Sequence, residues 1–400
     1  MLWLICFFNY ADRQAIFSVF PLLQRELGLS TIQLGLLGSS FAWVYGLSGP
    51  FAGWFVDRVP RRNAILGGLQ FWSIVCALSA ASRTFPQLLF FRAAEGLGES
   101  LYYPASTSLV SDYHGPRTRS RALGFLVTSV YAGTVGGGLW AGAMAERFGW
   151  RLSFLVLGGL GSALGVCLLW YLREVPRGSA EGNAFETLPP SLLMTLGLLI
   201  KTPAALLLML AFVCANFVAL VLLSWMPTYL YANFHLSLAK AAFVATVYPQ
   251  SGSMLGAFVG GWAADKMANS TAGGRALTQA AGVLIGAPCV FLCGRADTLT
   301  MCIATLLIWG FAKGIYDANI FASVFDVMPA EVRGTTSGVM NCAGWMLGGG
   351  AAPLVIGILS RRIGLGNAIA SSASVYFLAV ILLAAAAAIV IRKSRCILAD

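Results

Sequence analysis

Charge is scarce in this chain. Asp, Glu, Lys and Arg make up 10% of its 400 residues, against about 25% in soluble domains. Histidine is scarcer still: His114 and His235 are the only two, too little material for a histidine-built metal centre. The nine cysteines (Cys6, Cys76, Cys167, Cys214, Cys289, Cys293, Cys302, Cys342 and Cys396) are odd in number and lack any paired ligand spacing. They read as small apolar residues of a packed interior. No Gly-x-Ser-x-Gly elbow, Walker A loop or His-Glu-x-x-His pair occurs, which removes the common enzyme readings. No enzyme activity, metal or cofactor is expected. A plain apolar leader is missing too, because Asn9, Tyr10, Asp12 and Arg13 interrupt the first apolar run.

Apolar residues fill the space these absences leave. The chain is 58% hydrophobic with a mean hydropathy of +0.78, which defines a polytopic membrane protein. Its net charge of +10 would hint at nucleic acid in a soluble chain. Here the basic residues are spread over short loops, so the expected partner is the bilayer and no nucleic acid is implied. Apolar runs bounded by charged or Pro/Gly turns predict twelve helical spans. They lie at about 2–23, 32–56, 63–82, 86–111, 119–145, 150–172, 203–230, 238–264, 276–294, 298–327, 334–359 and 366–391. The expected fold is therefore an all-α membrane protein with two six-helix bundles, 1–172 and 202–400. A cytoplasmic linker at 173–201 joins them and ends in an amphipathic segment. Loops after even-numbered spans, with the C-terminal tail, hold fifteen Lys and Arg, including Arg117, Arg177 and Arg395; the opposite loops hold eight. Positive charge favours the inside, so both termini are expected in the cytoplasm.

The halves repeat. Gly53-Trp54-Phe55-Val56-Asp57-Arg58 matches Gly261-Trp262-Ala263-Ala264-Asp265-Lys266 at an offset of 208. Asp112, Arg119 and Gly124 match Asp326, Arg333 and Gly338 at 214, and Gly136-Gly137-Gly138 matches Gly348-Gly349-Gly350 at 212. A parallel duplication with a cavity between the halves is a transporter architecture.

One stretch breaks the apolar rule. Pro86 to Asp112 is long enough to cross a bilayer, yet Arg92, Glu95 and Glu99 sit at i, i+3 and i+7 on one helical face. Charges at bilayer depth cost about 2.5–3.5 kcal/mol each on insertion scales unless they face protein or water. Such a face is expected to line a cavity. Glu95 and Glu99, one turn apart, would repel if both were ionised. A carboxyl balanced between desolvation and a neighbouring guanidinium can change protonation when access switches.

The loop Gly53 to Arg62, GWFVDRVPRR, resembles the Gly-x-x-x-Asp-Arg-x-x-Arg-Arg loop of the major facilitator superfamily, with Pro60 where a glycine is usual. Within that superfamily, Asn9-Tyr10-Ala11-Asp12-Arg13 and Arg92-x₅-Gly98-Glu99 resemble two groups. These are the anion:cation symporters, which move sugar acids and other organic anions with protons, and the Spinster carriers of lysolipids and sphingolipids. Arg173-Glu174-Val175-Pro176-Arg177-Gly178 is also similar to the latter. The fifth span has Gly133-Thr134-Val135-Gly136-Gly137 in place of the Gly-Pro signature of drug/proton antiporters, which lowers a drug-efflux reading.

The resemblance implies proton-coupled symport of a small organic anion by a monomer in the cytoplasmic (inner) membrane. It makes Glu99 the proton carrier, Asp12 a second proton site and Arg13 the contact for the substrate carboxylate. Arginine suits that contact because its planar fork binds carboxylate bidentately. Arg92 is expected to pair with Asp12 or Glu99, or with Glu95 in a purely structural arrangement. Further polar groups within spans are Tyr10, Tyr131, Asn216, Tyr248, Gln250, Lys313, Asp317 and Asn341, candidates for substrate contact or for interhelical hydrogen bonds. Lys313 and Asp317, at i and i+4, form an expected self-neutralising pair. Gly53, Asp57, Arg58, Arg61, Arg62, Asp265 and Lys266 are the expected cytoplasmic gate.

Overall fold

The structure, a computed structural model, describes residues 1–114, 118–176, 179, 192–329 and 332–399. Arg117, Arg177, Gly178 and the 180–191 stretch of the expected linker lie outside the described residues, as does the side chain of Arg395. Among the described residues the chain is helical throughout, with no strand.

The first run is two helices, α1 (Leu2–Ser18) and α2 (Phe20–Leu27), interrupted at Val19, whose φ of −103° and ψ of 3° leave the helical region. Pro21 in the first turn of α2 fits a helix start but cannot continue the preceding ladder. Gly28 ends α2 with a φ of 64°, a conformation that favours glycine. α3 (Thr31–Val56) begins on a capping box in which Ser30 Oγ accepts from the Gln33 N–H and Gln33 Oε1 accepts from the Ser30 N–H. α4 spans Arg61–Ser79.

The charged run expected as one helix is also two, α5 (Phe85–Ser100) and α6 (Tyr102–Tyr113). Pro104 has no N–H to offer the Ser100 carbonyl, so the ladder fails one residue beyond Glu99. α7 (Arg119–Phe148) and α8 (Trp150–Tyr171) follow. A short helix, α9 (Leu192–Lys201), stands where the amphipathic segment was expected. Then come α10 (Pro203–Phe234), α11 (Leu238–Ser270), α12 (Gly274–Gly294), α13 (Leu299–Asp317) and α14 (Ile320–Phe325). The next run is α15 (Arg333–Ala343), a π-helical turn at Gly344–Gly349 and α16 (Ala351–Ile363). The chain closes with α17 (Leu365–Ser371) and α18 (Ala373–Ala399).

Seven of these helical stretches are long and apolar enough to cross a membrane by length and composition. Large aromatic side chains also face outward from α3, α8 and α11: Phe51, Trp54, Trp170, Phe258 and Trp262 are each 58% exposed or more. Large exposed aromatics in such number suit lipid rather than water. The protein is an integral membrane protein.

The chain forms two compact units, Met1–Thr187 with Leu223–Thr246, and Leu188–Leu222 with Val247–Asp400. In the first, α1 packs along α7 and α5 packs against α3 and α4. A Cβ on Gly137 of α7 would sit 2.2 Å from Ala11 Cα, so only glycine lets α7 lie against the charged segment of α1. The second unit repeats the device. A Cβ on Gly348 would sit 2.4 Å from the Val213 carbonyl oxygen of α10. The glycine triplets matched in the sequence thus mark equivalent helix seams.

Candidate functional site

Apart from Arg61 at the α3–α4 connection, the buried charged side chains of the first unit form one cluster of five from two helices. Asp12 and Arg13 come from α1 and are 1% and 8% exposed; Arg92, Glu95 and Glu99 come from α5 at 1%, 0% and 0%. Uncompensated ions at such depth are costly, so their pairing decides whether the fold tolerates them. Arg13 Nε donates to Glu99 Oε2 at 2.5 Å, and Arg92 is ion-paired with Glu95. Ser79 of α4 also donates to Glu95 Oε1 at 3.4 Å.

Aromatic rings enclose the guanidinium groups. Arg13 Cζ lies 4.7, 5.1 and 4.4 Å from the ring centres of Tyr10, Phe41 and Tyr45. Arg92 Cζ lies 4.9 Å from the same Phe41 ring. Phe41 and Tyr45, one turn apart on α3, stack at 5.9 Å. Desolvated cation–π contacts of this kind contribute about 2 kcal/mol. They hold an arginine in place without using its hydrogen-bond donors.

Asp12 makes no hydrogen bond through either carboxyl oxygen to a nitrogen or oxygen donor among the described residues. It lies within the electrostatic reach of Glu95, Glu99 and Arg92 and beside the Cys76 thiol of α4. Three buried carboxyls therefore share two guanidinium groups. The set has one more acid than base, which is the stoichiometry of a site that can take up a proton. Arg92 pairs with Glu95, and neither Asp12 nor Glu99 is its ion-pair partner. The reason is local: at i, i+3 the two side chains meet on one helix face with no rearrangement.

The other candidates separate from this cluster. Tyr10 joins it through its ring; Tyr131 on α7 is half-buried. In the second unit, Lys313 and Asp317 form the expected i, i+4 pair, with side chains 20% and 41% exposed. Asn216 Nδ2 donates to the Phe212 carbonyl of its own helix at 3.0 Å, beside Gly344 and Gly348. Tyr248 and Gln250 are half-buried on either side of Pro249 in α11, and Asn341 is exposed on α15. Asn319 bridges the α13–α14 break to α11 by donating to the Ile315 and Gly260 carbonyls at 2.9 and 3.0 Å.

At the α3–α4 connection the hub is Arg61, fully buried despite its charge. It is ion-paired with Asp112 and, at 2.7 Å, with Glu174, and so ties the ends of α4, α6 and α8 together. Arg62 adds hydrogen bonds from its backbone N–H to Glu174 Oε2 and from Nε to the Leu172 carbonyl, both at 2.7 Å. Gly53 stands one turn before Asp57, and a Cβ there would meet nothing within 4 Å. Arg58 lies over Trp54 at 4.1 Å, and its repeat partner Lys266 lies over Trp262 at 5.3 Å. In the second unit Arg275 takes the part of Arg61, bridging Asp326 at 2.8 Å and Asp265 at 3.1 Å. Arg119 donates to the Ser111 carbonyl and Arg333 to the Phe325 carbonyl, again at equivalent places.

Sequence reasoning missed Phe41 and Tyr45 as the walls of the arginine site, and Asp112, Glu174, Arg275 and Asp326 as latch partners. A signal existed for the latch acids, since Asp112 and Asp326 match across the repeat. The aromatic pair carries none beyond its i, i+4 spacing.

A helical membrane fold whose halves repeat and whose core holds paired ionisable groups is of the kind that solute carriers use. The profile of the Major Facilitator Superfamily matches residues 2–353, and the chain belongs to that superfamily of transporters. It is 28% identical over 86% of its length to a probable chloroplastic anion transporter of Oryza sativa subsp. japonica, spanning 61% of that longer protein. It is 25% identical to the D-galactonate transporter of Escherichia coli O6:H1, with 94% of this chain and 91% of that one covered. The hexuronate transporter of Bacillus subtilis is 26% identical over 83% of this chain and 80% of its own. In fold the chain resembles the crystal structure of a bacterial homologue of the human lysosomal transporter Spinster, in an inward-facing, unoccupied conformation. The TM-score is 0.83 at 24% identity, over 98% of this chain and 95% of that one.

Proposed function

We propose that the chain is a secondary active transporter that couples movement of a small organic anion, such as a sugar acid, to protons by symport and alternating access. It has twelve spans in two six-helix bundles, 1–172 and 202–400, joined by a cytoplasmic linker. It acts as a monomer in the cytoplasmic membrane with both termini inside. The observation that carries the reading is the buried Arg13–Glu99 pair, with Asp12 as a further acid in reach.

The chemistry follows from competition for one guanidinium. While Glu99 is ionised it occupies Arg13, and a substrate carboxylate would have to displace a like charge. A proton arriving at Glu99 removes its hold. Arg13, kept in position by Tyr10, Phe41 and Tyr45, then offers its donors to the substrate carboxylate. Releasing the substrate lets Glu99 lose its proton and re-pair, so neither passenger travels alone. Asp12 supplies a second proton acceptor, and Arg92–Glu95 stands beside it as a self-neutralising pair on α5. The named activities of relatives that carry galactonate and hexuronate support an anionic, hydroxylated substrate.

A specific feature favours a second reading, Spinster-like carriage of a lysolipid. A cavity of about 480 Å³ lies between α3, α4 and α5, lined by Phe51, Phe55, Phe71 and Leu97, and none of the buried charges reaches it. Its apolar wall suits an acyl chain. Proteoliposomes with an imposed pH gradient separate the two readings when offered a panel of sugar acids and a panel of lysolipids. Gradient-driven accumulation of a sugar acid supports the first; movement of lysolipid alone replaces it with the second.

A further inference from the structure

Two thiols at one end of the second unit meet without any part in the chemistry above. Cys293 lies in the last turn of α12 and Cys302 in the first turn of α13, with only Arg295–Thr298 between the helices. Both ends are capped. The N–H groups of Arg295 and Ala296 donate back to the Leu292 and Cys293 carbonyls at 3.2 and 3.4 Å. Thr298 Oγ1 accepts from the Met301 N–H at 3.3 Å, and the Thr298 carbonyl accepts from the Cys302 N–H at 3.1 Å. Arg295 Nη1 donates to Asn367 Oδ1 at 2.8 Å, tying the loop to α17. These bonds bring Cys293 Sγ and Cys302 Sγ to 3.6 Å, with the residues 1% and 0% exposed.

A disulfide requires an S–S distance of about 2.05 Å, so closure needs about 1.5 Å of approach, within the range of small side-chain rotations. Compartment then decides the redox state. On the twelve-span topology proposed above, this loop follows an odd-numbered span and faces away from the cytoplasm, where disulfides form and persist. We propose that Cys293 and Cys302 are an oxidisable pair that closes to a disulfide and clips the α12–α13 hairpin, an inference that rests on that topology. Each thiol gives up a proton and the pair gives up two electrons. Both electrons pass to a disulfide donor of the extracytoplasmic space, which leaves as two thiols while one S–S bond forms. Burial places this exchange before α17 packs over the loop, and it shields the finished bridge from reductant.

Thiol counting tests this on the full chain. Protein purified from a bacterial cytoplasmic membrane without reductant is denatured and alkylated with N-ethylmaleimide, and modified cysteines are counted by mass. Of nine cysteines, seven are expected to react before reduction and nine after, with the bridge mapping to 293–302. Cys293→Ser and Cys302→Ser should each give eight reactive thiols before and after reduction. Nine reactive thiols before reduction overturn the proposal, as does a bridge between any other pair. Asp297→Cys, in a Cys293→Ser/Cys302→Ser background, reports the side the loop faces by labelling of intact cells with a membrane-impermeant maleimide. Labelling from outside together with nine free thiols refutes the pairing alone. No labelling refutes the topology, and the pairing argument with it.

Discussion

The two units carry the same latch but not the same interior. Near the α3–α4 and α11–α12 connections, an arginine bridges acids in each: Arg61 with Asp112 and Glu174, Arg275 with Asp265 and Asp326. In the buried interiors the symmetry ends. The first unit buries Asp12, Arg13, Arg92, Glu95 and Glu99 to 8% exposure or less, whereas the Lys313–Asp317 pair of the second has side chains 20% and 41% exposed. Duplication supplied a frame twice, and ionisable chemistry was installed in one copy. A charge retained in a buried, paired site must offset its own desolvation. On the proposed mechanism, this asymmetry assigns the coupling of protonation to binding to the first unit.

The sharpest way to break this comparison is Glu99→Gln. It removes the ionised partner of Arg13 and the group proposed to carry the proton. Uphill uptake driven by a pH gradient is expected to fall about 100-fold or more, on the scale of the roughly 3 kcal/mol set by disrupting a buried ion pair. Substrate exchange without a gradient should persist. Unchanged uphill uptake with unchanged pH dependence would remove Glu99 from the mechanism.

The latches are expected to differ in weight because they differ in burial. Arg61→Ala strands Asp112 and Glu174 around a buried void and should cost about 3 kcal/mol of stability. Arg275→Ala, at a site where Asp265 is 71% exposed, should cost under about 1 kcal/mol. Thermal unfolding of the two purified variants measures the difference, and equal losses would show that burial does not rank them.

Arg13→Lys preserves charge but loses the planar fork and much of the ring stacking. Apparent substrate affinity should weaken about tenfold, equivalent to about 1.4 kcal/mol. Affinity equal to wild type in a binding titration would argue against direct carboxylate contact. The smallest effect is expected from Lys313→Met/Asp317→Asn, which deletes the pair without leaving a lone charge. Uptake within about threefold of wild type fits a pair screened by partial exposure; a larger loss would place substrate chemistry in the second unit as well.

Much of this frame was legible in the sequence because periodicity and repetition are one-dimensional signals. The apolar runs located the helices, and the matched Gly-Gly-Gly motifs, read as a sign of repetition, fall at equivalent seams. The spacing of Arg92, Glu95 and Glu99 showed that they share one helical face, but the cavity that face was expected to line is not seen there: all three are 1% exposed or less and none lines the cavity between α3, α4 and α5. The breaks were harder to read. Pro104 ends α5 just past Glu99, and the π-helical turn at Gly344–Gly349 interrupts an apparently continuous run, but neither disturbs hydropathy. The partner of each arginine was not legible either. Arg13 is 86 positions from Glu99, and its ring cage comes partly from α3. Such choices are made by packing, where Gly137 admits α7 against α1, and not by local propensity.

The most direct test of the central claim follows protons rather than substrate. Reconstituted protein in weakly buffered liposomes, with no imposed gradient, is given a sugar acid while a pH-sensitive dye reports the outside solution. Alkalinisation that begins with the sugar acid and vanishes in Glu99→Gln is the expected result. Sugar-acid uptake with no accompanying proton movement, or proton movement of wild-type size in Glu99→Gln, would contradict the account.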